Sequence, residues 1–132
     1  MPPTPAINIL AVDDDPQLLR LLCRHLERLL ASLPVTIIST VSPFAAYELC
    51  GQQPFKLVIT DYLMPQMNGL QLARAVKQRS PGSSILLITG FANTALIAEA
   101  PTYGVDAVLA KPYTHTQLGD TVKQLLGVLK ER

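Results

Sequence analysis

Five short apolar runs, each followed by a helical pattern, constrain the fold of this chain more than any other feature. The runs are rich in Ile, Leu and Val, which suits strands that are covered on both faces. Strands that alternate with helices form a parallel sheet, because each helix returns the chain to the same edge. The predicted strands cover residues 7–12, 35–41, 57–60, 84–88 and 105–110.

The helices are predicted from caps and from apolar spacing. The first begins at Pro16 behind the cap residue Asp15 and runs to about Ala31. The last begins after Thr114, which forms a capping box with Gln117. The others are expected at residues 43–52, 69–78 and 93–100, and Leu129 belongs to the apolar face of the last one.

The leucines of the first helix divide between two faces. Leu21 falls in the polar arc, where it is either an isolated exposed leucine or part of a partner surface. The remaining leucines are predicted to share one buried face: Leu18, Leu19, Leu22, Leu26, Leu29, Leu30 and Leu33.

Length and element pattern predict one flavodoxin-like α/β domain. The chain has 132 residues, which suits a single domain with a core of about residues 7–130 after a Pro-rich lead, residues 1–6. The expected sheet has five parallel strands in the order 2-1-3-4-5 with five helices. No output domain is expected after the last helix.

Composition excludes several classes of protein. Apolar residues make up 48% and charged residues 16%, so a disordered chain is excluded. A net charge of +1 without a basic run argues against direct nucleic-acid binding, and no apolar run is long enough to span a membrane. Cys23 and Cys50 lack metal-ligand spacing and are interpreted as reduced core residues of a cytoplasmic protein.

Polar residues follow four of the five predicted strands. Asp13 and Asp14 end the first, Asp61 the third, Thr89 the fourth and Lys111 the fifth. Because the carboxyl ends of parallel strands meet at one edge, we expect these side chains to converge. Three carboxylates within a few ångströms repel one another unless a cation lies among them, and an oxygen-only ligand set favours Mg²⁺.

This set of residues suits phosphoryl chemistry at Asp61. A carboxylate can attack phosphorus and form an aspartyl phosphate, while Lys111 and Thr89 offer a positive charge and a hydroxyl to phosphate oxygens. Taken alone, Asp14 is better explained as a helix cap, Thr89 as a turn residue and Lys111 as a solvated lysine before a proline. The inference depends on their occurring together at successive strand ends.

From about Asn8 to Leu129, the sequence resembles the receiver domains of two-component response regulators. Residues 12–16 (VDDDP) match the acidic first loop of that family, and residues 61–65 (DYLMP) with Gly69 match its phosphoacceptor loop. Thr89 matches the switch hydroxyl, and Lys111-Pro112 matches the lysine that precedes a commonly cis proline.

The resemblance implies specific roles. Asp61 would be the phosphoacceptor, and Mg²⁺ would bind Asp13, Asp14, Asp61 and the backbone carbonyl of Leu63. The phosphoryl group would come from a sensor histidine kinase or a histidine phosphotransfer protein. The face of strands 4 and 5 and helices 4 and 5 would then signal to a downstream protein target or form a homodimer. Such a domain catalyses only its own phosphorylation and dephosphorylation.

Four departures from the family pattern concern switching and phosphoryl lifetime. Val108 replaces the usual aromatic residue, so any switch works weakly or without an aromatic toggle. Gly90 replaces a small alanine, and Pro101 predicts an irregular fourth helix. Leu63 and Phe91 flank the acyl phosphate, where an apolar pair should exclude the attacking water and slow decay.

Three other functions are weaker interpretations. A degenerate receiver that serves only as an interaction module is compatible with Val108 and Pro101, although the chemical residues are present. An aspartate-nucleophile phosphohydrolase would place its nucleophile on the first strand, and would need more chain to hold a substrate. A flavin-binding module would need a Ser/Thr-rich loop after the first strand, where this chain has acids.

Overall fold

The computed structural model describes residues 6–128, so Leu129 and residues 1–5 of the predicted lead lie outside the described residues. All strand pairs are parallel, and the order β2-β1-β3-β4-β5 confirms the predicted flavodoxin-like fold. The strands are Ile7–Val12 (β1), Val35–Thr40 (β2), Leu57–Asp61 (β3), Ser84–Thr89 (β4) and Ala107–Ala110 (β5).

Five α-helices follow the strands, as predicted. They are Pro16–Leu29 (α1), Pro43–Gln52 (α2), Gly69–Arg79 (α3), Thr94–Glu99 (α4) and His115–Leu126 (α5). The predicted caps are confirmed, since the Asp15 carboxylate accepts from the Gln17 and Leu18 N–H groups and Thr114 forms a capping box with Gln117. The predicted end of α1 at Ala31 was two residues too late.

The fourth helix is short, as Pro101 predicted. It ends at Glu99 and continues as the 3₁₀ segment Ala100–Tyr103, which closes at Gly104 in the left-handed region with φ of 89°. Proline has no N–H for an α-helical bond, so the last turn tightens. Leu96 is the one buried residue of α4.

The core lies on both faces of the sheet. On one face α1 and α5 cover strand residues such as Ile59 and Leu86, and on the other α2, α3 and α4 cover residues such as Val58 and Leu87. Those four side chains have no exposed surface. At about 2 kcal/mol for each large apolar side chain, this burial dominates the stability of the fold.

The prediction that Leu18 lies on the buried face of α1 was wrong. Its side chain is 46% exposed, and Leu21, predicted in the polar arc, is 48% exposed. A helical wheel gives the direction of a residue but not the place where the helix passes beyond the sheet. Leu18 lies in the first turn of α1, above the strand ends, and borders an open cavity there.

The burial and pairing of the cysteines and the length of the helices can also be compared with the sequence predictions. Cys23 is half-buried and Cys50 is buried, and neither forms a disulfide. Between residues 6 and 128, no helix combines the length and apolar character needed to cross a membrane.

Candidate functional site

The predicted site residues meet at the carboxyl edge of the sheet. Asp13 and Asp14 follow β1, Asp61 is the last residue of β3, Thr89 is the last of β4, and Lys111 follows β5 directly. The chain leaves β1 toward β2 on one side and β3 lies on its other side, so the strand order reverses between β1 and β3. Open α/β sheets bind their ligands at such a reversal.

Three carboxylates form a cluster at this edge. One carboxylate oxygen each from Asp13, Asp14 and Asp61 lies within 4.8 Å of the others. Asp13 is buried with 6% exposure, Asp61 is half-buried and Asp14 is exposed. The cluster is therefore buried on the side of Asp13 and open on the side of Asp14, where a ligand can enter from solvent.

The electrostatics of Asp13 indicate that this cluster suits a cation. Burial raises the pKa of Asp13 from 3.8 to about 6, against the lowering effect of a 3.0 Å hydrogen bond from the Asp15 N–H. Among the nearby charges, those of Asp61 and Asp14 contribute to this increase in the pKa of Asp13, and that of Lys111 opposes it. An oxygen-only set of this kind, partly open to solvent, matches the ligands that Mg²⁺ prefers.

Lys111 supplies the positive charge next to Asp61. Its ammonium nitrogen lies 3.2 Å from Asp61 Oδ1, with both side chains partly shielded from solvent. One backbone hydrogen bond supports this position, since the Lys111 N–H donates to the Thr89 carbonyl at 2.9 Å. The Lys111-Pro112 peptide bond is cis, as the resemblance implied.

Thr89 presents a hydroxyl whose proton is available. The side chain is 1% exposed, and its oxygen accepts a 2.9 Å hydrogen bond from the Phe91 N–H. A hydroxyl that accepts one bond can still donate its own proton. Thr89 can therefore donate to an oxygen bound at the strand edge.

The loop after β3 is held tightly to the strand. The Gly69 N–H donates to the Tyr62 carbonyl at 2.8 Å. A Cβ atom on Gly69 would overlap the Asp61 carbonyl oxygen and the Leu87 side chain, so only glycine fits. Gln66 lies in the left-handed region with φ of 74°, and α3 then begins with a capping box between Asn68 and Gln71.

The three positions expected to affect switching and phosphoryl lifetime, Leu63, Phe91 and Val108, do not all lie together. Leu63 and Phe91 are 51% and 57% exposed, on the loops after β3 and β4. Val108 is half-buried within β5 and packs against the core on the face of the sheet that α2, α3 and α4 cover. No aromatic ring occupies that position in the core, as the sequence predicted.

Sequence reasoning did not find a cavity between α1 and α5. The cavity has a volume of about 370 Å³ and extends from Asp61 outward. Its walls are mainly apolar, and its lining includes Leu18, Leu21, Leu22, His25, Lys111, Pro112, Tyr113 and His115. The one available signal was Leu21 in the polar arc of α1.

The fold and this site define a flavodoxin-like domain with a carboxylate and lysine site at its strand-order reversal. A comparison with known protein families identifies the family of this chain. A family model described as the response regulator receiver domain matches residues 9–123. The chain belongs to the response regulator receiver family, which is typical of two-component signalling, and is a signalling domain rather than a classical enzyme.

Individual relatives agree. The response regulator receiver protein CpdR of Brucella abortus is 35% identical over 119 residues, which cover 90% of this chain and 96% of the relative. The Regulator of RpoS of Escherichia coli is 37% identical over 105 residues, 80% of this chain but only 30% of that longer protein.

A solved structure also resembles this chain in its fold. It is a response regulator protein from Burkholderia pseudomallei "with a phosphorylated aspartic acid, calcium ion and citrate". That structure has a TM-score of 0.75 and 26% identity, and the match covers 89% of this chain and 71% of the other.

Proposed function

We propose that this chain accepts a phosphoryl group on Asp61, with Mg²⁺, from a phosphohistidine on a sensor kinase or phosphotransfer protein. The observation that carries the proposal is the carboxylate cluster, with its three oxygens within 4.8 Å and the Lys111 ammonium 3.2 Å from Asp61. The phosphorylated aspartic acid and calcium ion of the Burkholderia relative support the proposal.

The residues divide the chemistry between them. An Asp61 oxygen attacks phosphorus, the new O–P bond forms, and the P–N bond breaks as the donor imidazole leaves with the electron pair. Lys111 places a fixed charge beside the incoming phosphoryl oxygens, and Thr89 donates its hydroxyl proton to one of them. Donors in fixed positions stabilise the spread charge of this transition state.

The donor set fits a magnesium ion. Asp13, Asp14 and Asp61 would hold it through carboxylate oxygens, with the Leu63 carbonyl as the backbone ligand that the family resemblance implies. When bound, the ion would offset the negative charge of the phosphoryl group. The ion would also offset the charge of Asp13, which burial disfavours, as its pKa of about 6 indicates.

We also propose that the cavity between α1 and α5 is the docking groove for the phosphodonor. Leu18 and Leu21 are about half exposed on its outer wall, Pro112 and Tyr113 form the opposite wall, and Asp61 lies at its inner end. A donor that seats apolar side chains on these walls brings its phosphohistidine to the carboxylate cluster.

The face of β4, β5, α4 and α5 then carries the signal to a downstream partner. Val108 cannot act as an aromatic toggle, so we place the change in the loop after β4. There the Thr89 oxygen holds the Phe91 N–H, and a hydroxyl drawn toward a phosphoryl oxygen would change that bond. The exposed Phe91 would move with it.

The first test is incubation with acetyl phosphate, with and without Mg²⁺, followed by intact mass. We expect one phosphoryl adduct that requires Mg²⁺ and is absent from Asp61→Asn. Lys111→Met should lower the rate of adduct formation strongly, since it removes the charge next to the attacked phosphorus. The absence of an adduct under every condition would contradict the proposal and favour the degenerate interaction module.

The docking groove has a separate test. We expect the double variant Leu18→Asp with Leu21→Asp to lower transfer from a phosphohistidine protein relative to uptake from acetyl phosphate. Val41→Asp is the matched control, because Val41 is 47% exposed but does not line the cavity. If the ratio of the two rates does not change, the donor docks elsewhere.

A further inference from the structure

Two histidines join α1 to the start of α5 at the outer end of the cavity. The ring centroids of His25 and His115 are 4.4 Å apart, with the planes tilted by 57°. His115 is the first residue of α5 and stands four positions after Lys111. The contact therefore fixes the far end of the short loop, residues 111–114, that carries the site lysine.

His25 is poorly placed to carry a charge. Its Nδ1 atom is buried, and within residues 6–128 it has no hydrogen-bond partner. A charged imidazole has an N–H on both nitrogens, so protonation would leave a buried donor without an acceptor. Movement of the ring away from α5 would bring this donor to solvent.

We propose that the contact between His25 and His115 positions Lys111: the neutral His25 ring, packed against His115, holds the loop after β5 against α1, and charging the His25 ring releases it. The proposal rests on the proposed phosphoacceptor function and adds two residues to it. Neither histidine touches phosphate or metal, so both are positioning residues.

The surrounding charges support this direction. Burial lowers the pKa of His25, and the charges of His115 across the interface and of Arg28 on the same helix lower it further. The other titratable groups that line the cavity are Asp13, Asp61, Lys111 and Tyr113. Of these, Lys111 is paired with Asp61 at 3.2 Å, at the inner end of the cavity.

The expected consequence is a dependence of phosphoryl uptake on pH that comes from the histidines. Above the range where His25 titrates, the loop is held and Lys111 stays beside Asp61. Below it, the charged His25 ring has a buried donor without an acceptor, the loop is released, and uptake slows. Protonation of the carboxylates also slows uptake in acid, so the histidine contribution must be measured against a variant.

Nuclear magnetic resonance tests the positioning directly. We expect the His25 ring to titrate at a higher pH in His115→Gln than in wild type, since one opposing charge is removed. The amide signals of Lys111 and Tyr113 should shift with that titration in wild type and not in His25→Gln. Glutamine keeps polar atoms in a similar volume but does not titrate.

Rates of acetyl phosphate uptake, measured from pH 8 to pH 5.5 with Mg²⁺, give the second arm. We expect uptake by wild type to fall about threefold more over this range than uptake by His25→Gln. Arg24→Gln is the control, because it removes an exposed charge next to His25 in the sequence and should follow wild type.

The two arms separate failure of the proposal from failure of the proposed function. If the rate of phosphoryl uptake depends on pH in the same way in wild type and His25→Gln, the positioning role is overturned. It is also overturned if the amide signals of the loop do not shift as His25 titrates. If no variant takes up a phosphoryl group at any pH, the proposed function fails, and the amide signals alone decide whether the histidines position Lys111.

Discussion

Replacing the buried carboxylate Asp13 with asparagine should stabilise the protein when magnesium is absent. The pKa of Asp13 rises from 3.8 to about 6 on folding, because burial and the neighbouring carboxylates disfavour its charge. A difference of about two pKa units corresponds to ~3 kcal/mol of destabilisation at neutral pH. Asparagine carries no charge, and its Oδ1 can still accept the hydrogen bond from the Asp15 N–H.

The sign of the pH dependence follows from the raised pKa. Between about pH 4 and pH 6 the folded state binds a proton at Asp13 that the unfolded state has lost, so wild-type stability falls as pH rises through this window. Asp13→Asn lacks this fall. We expect its free energy of unfolding to exceed that of wild type by about 1–3 kcal/mol at pH 7.5, with the two converging below about pH 4.

Urea unfolding in a chelating buffer measures this difference. Asp14→Asn is the matched control, since Asp14 belongs to the same cluster but is exposed and should change stability little. Adding Mg²⁺ at about ten times its dissociation constant should stabilise wild type by ~1.4 kcal/mol and Asp13→Asn by much less. A lower stability of Asp13→Asn in the chelating buffer would refute the reasoning.

Three further predictions concern the site loops and the first helix. Gly69→Ala should cost about 3 kcal/mol in urea unfolding, because the methyl group would overlap a strand carbonyl, whereas Gly90→Ala meets open space and should cost little. Asp15→Ala should cost about 1 kcal/mol in the same assay through loss of the α1 cap. Leu63→Asn with Phe91→Glu should shorten the phosphoryl lifetime roughly tenfold, measured by phosphate release; an unchanged lifetime would contradict water exclusion by the apolar pair.

Much of the fold could be predicted because local signals agreed with one another. The apolar runs specified strands, Asp15 and Thr114 specified helix starts, and Pro101 specified the end of α4. The flavodoxin-like order is the common one for this pattern, and the structure has it. The convergence of Asp13 and Asp61 follows from the parallel sheet alone, because all carboxyl ends lie at one edge.

The cavity and the histidine pair could not be predicted in the same way. They depend on how far α1 extends past the strands and on the angle at which α5 begins. A residue pattern determines neither of these quantities. Leu18 illustrates the limit of a helical wheel, since its predicted direction was correct but its predicted burial was wrong. His25 and His115 are 90 positions apart, and no short motif joins them.

The short fourth helix has a consequence for how easily this domain can change shape. A six-residue helix has too few internal hydrogen bonds to persist alone, and α4 is fixed to the core mainly by Leu96. Segments held by few buried contacts open locally at a small fraction of the global unfolding free energy. We expect the amides of α4 to exchange with solvent before those of α1 or α3. The proposed signalling face would then need no large side chain to rotate through the core, because this weakly held segment follows Thr89 in the chain.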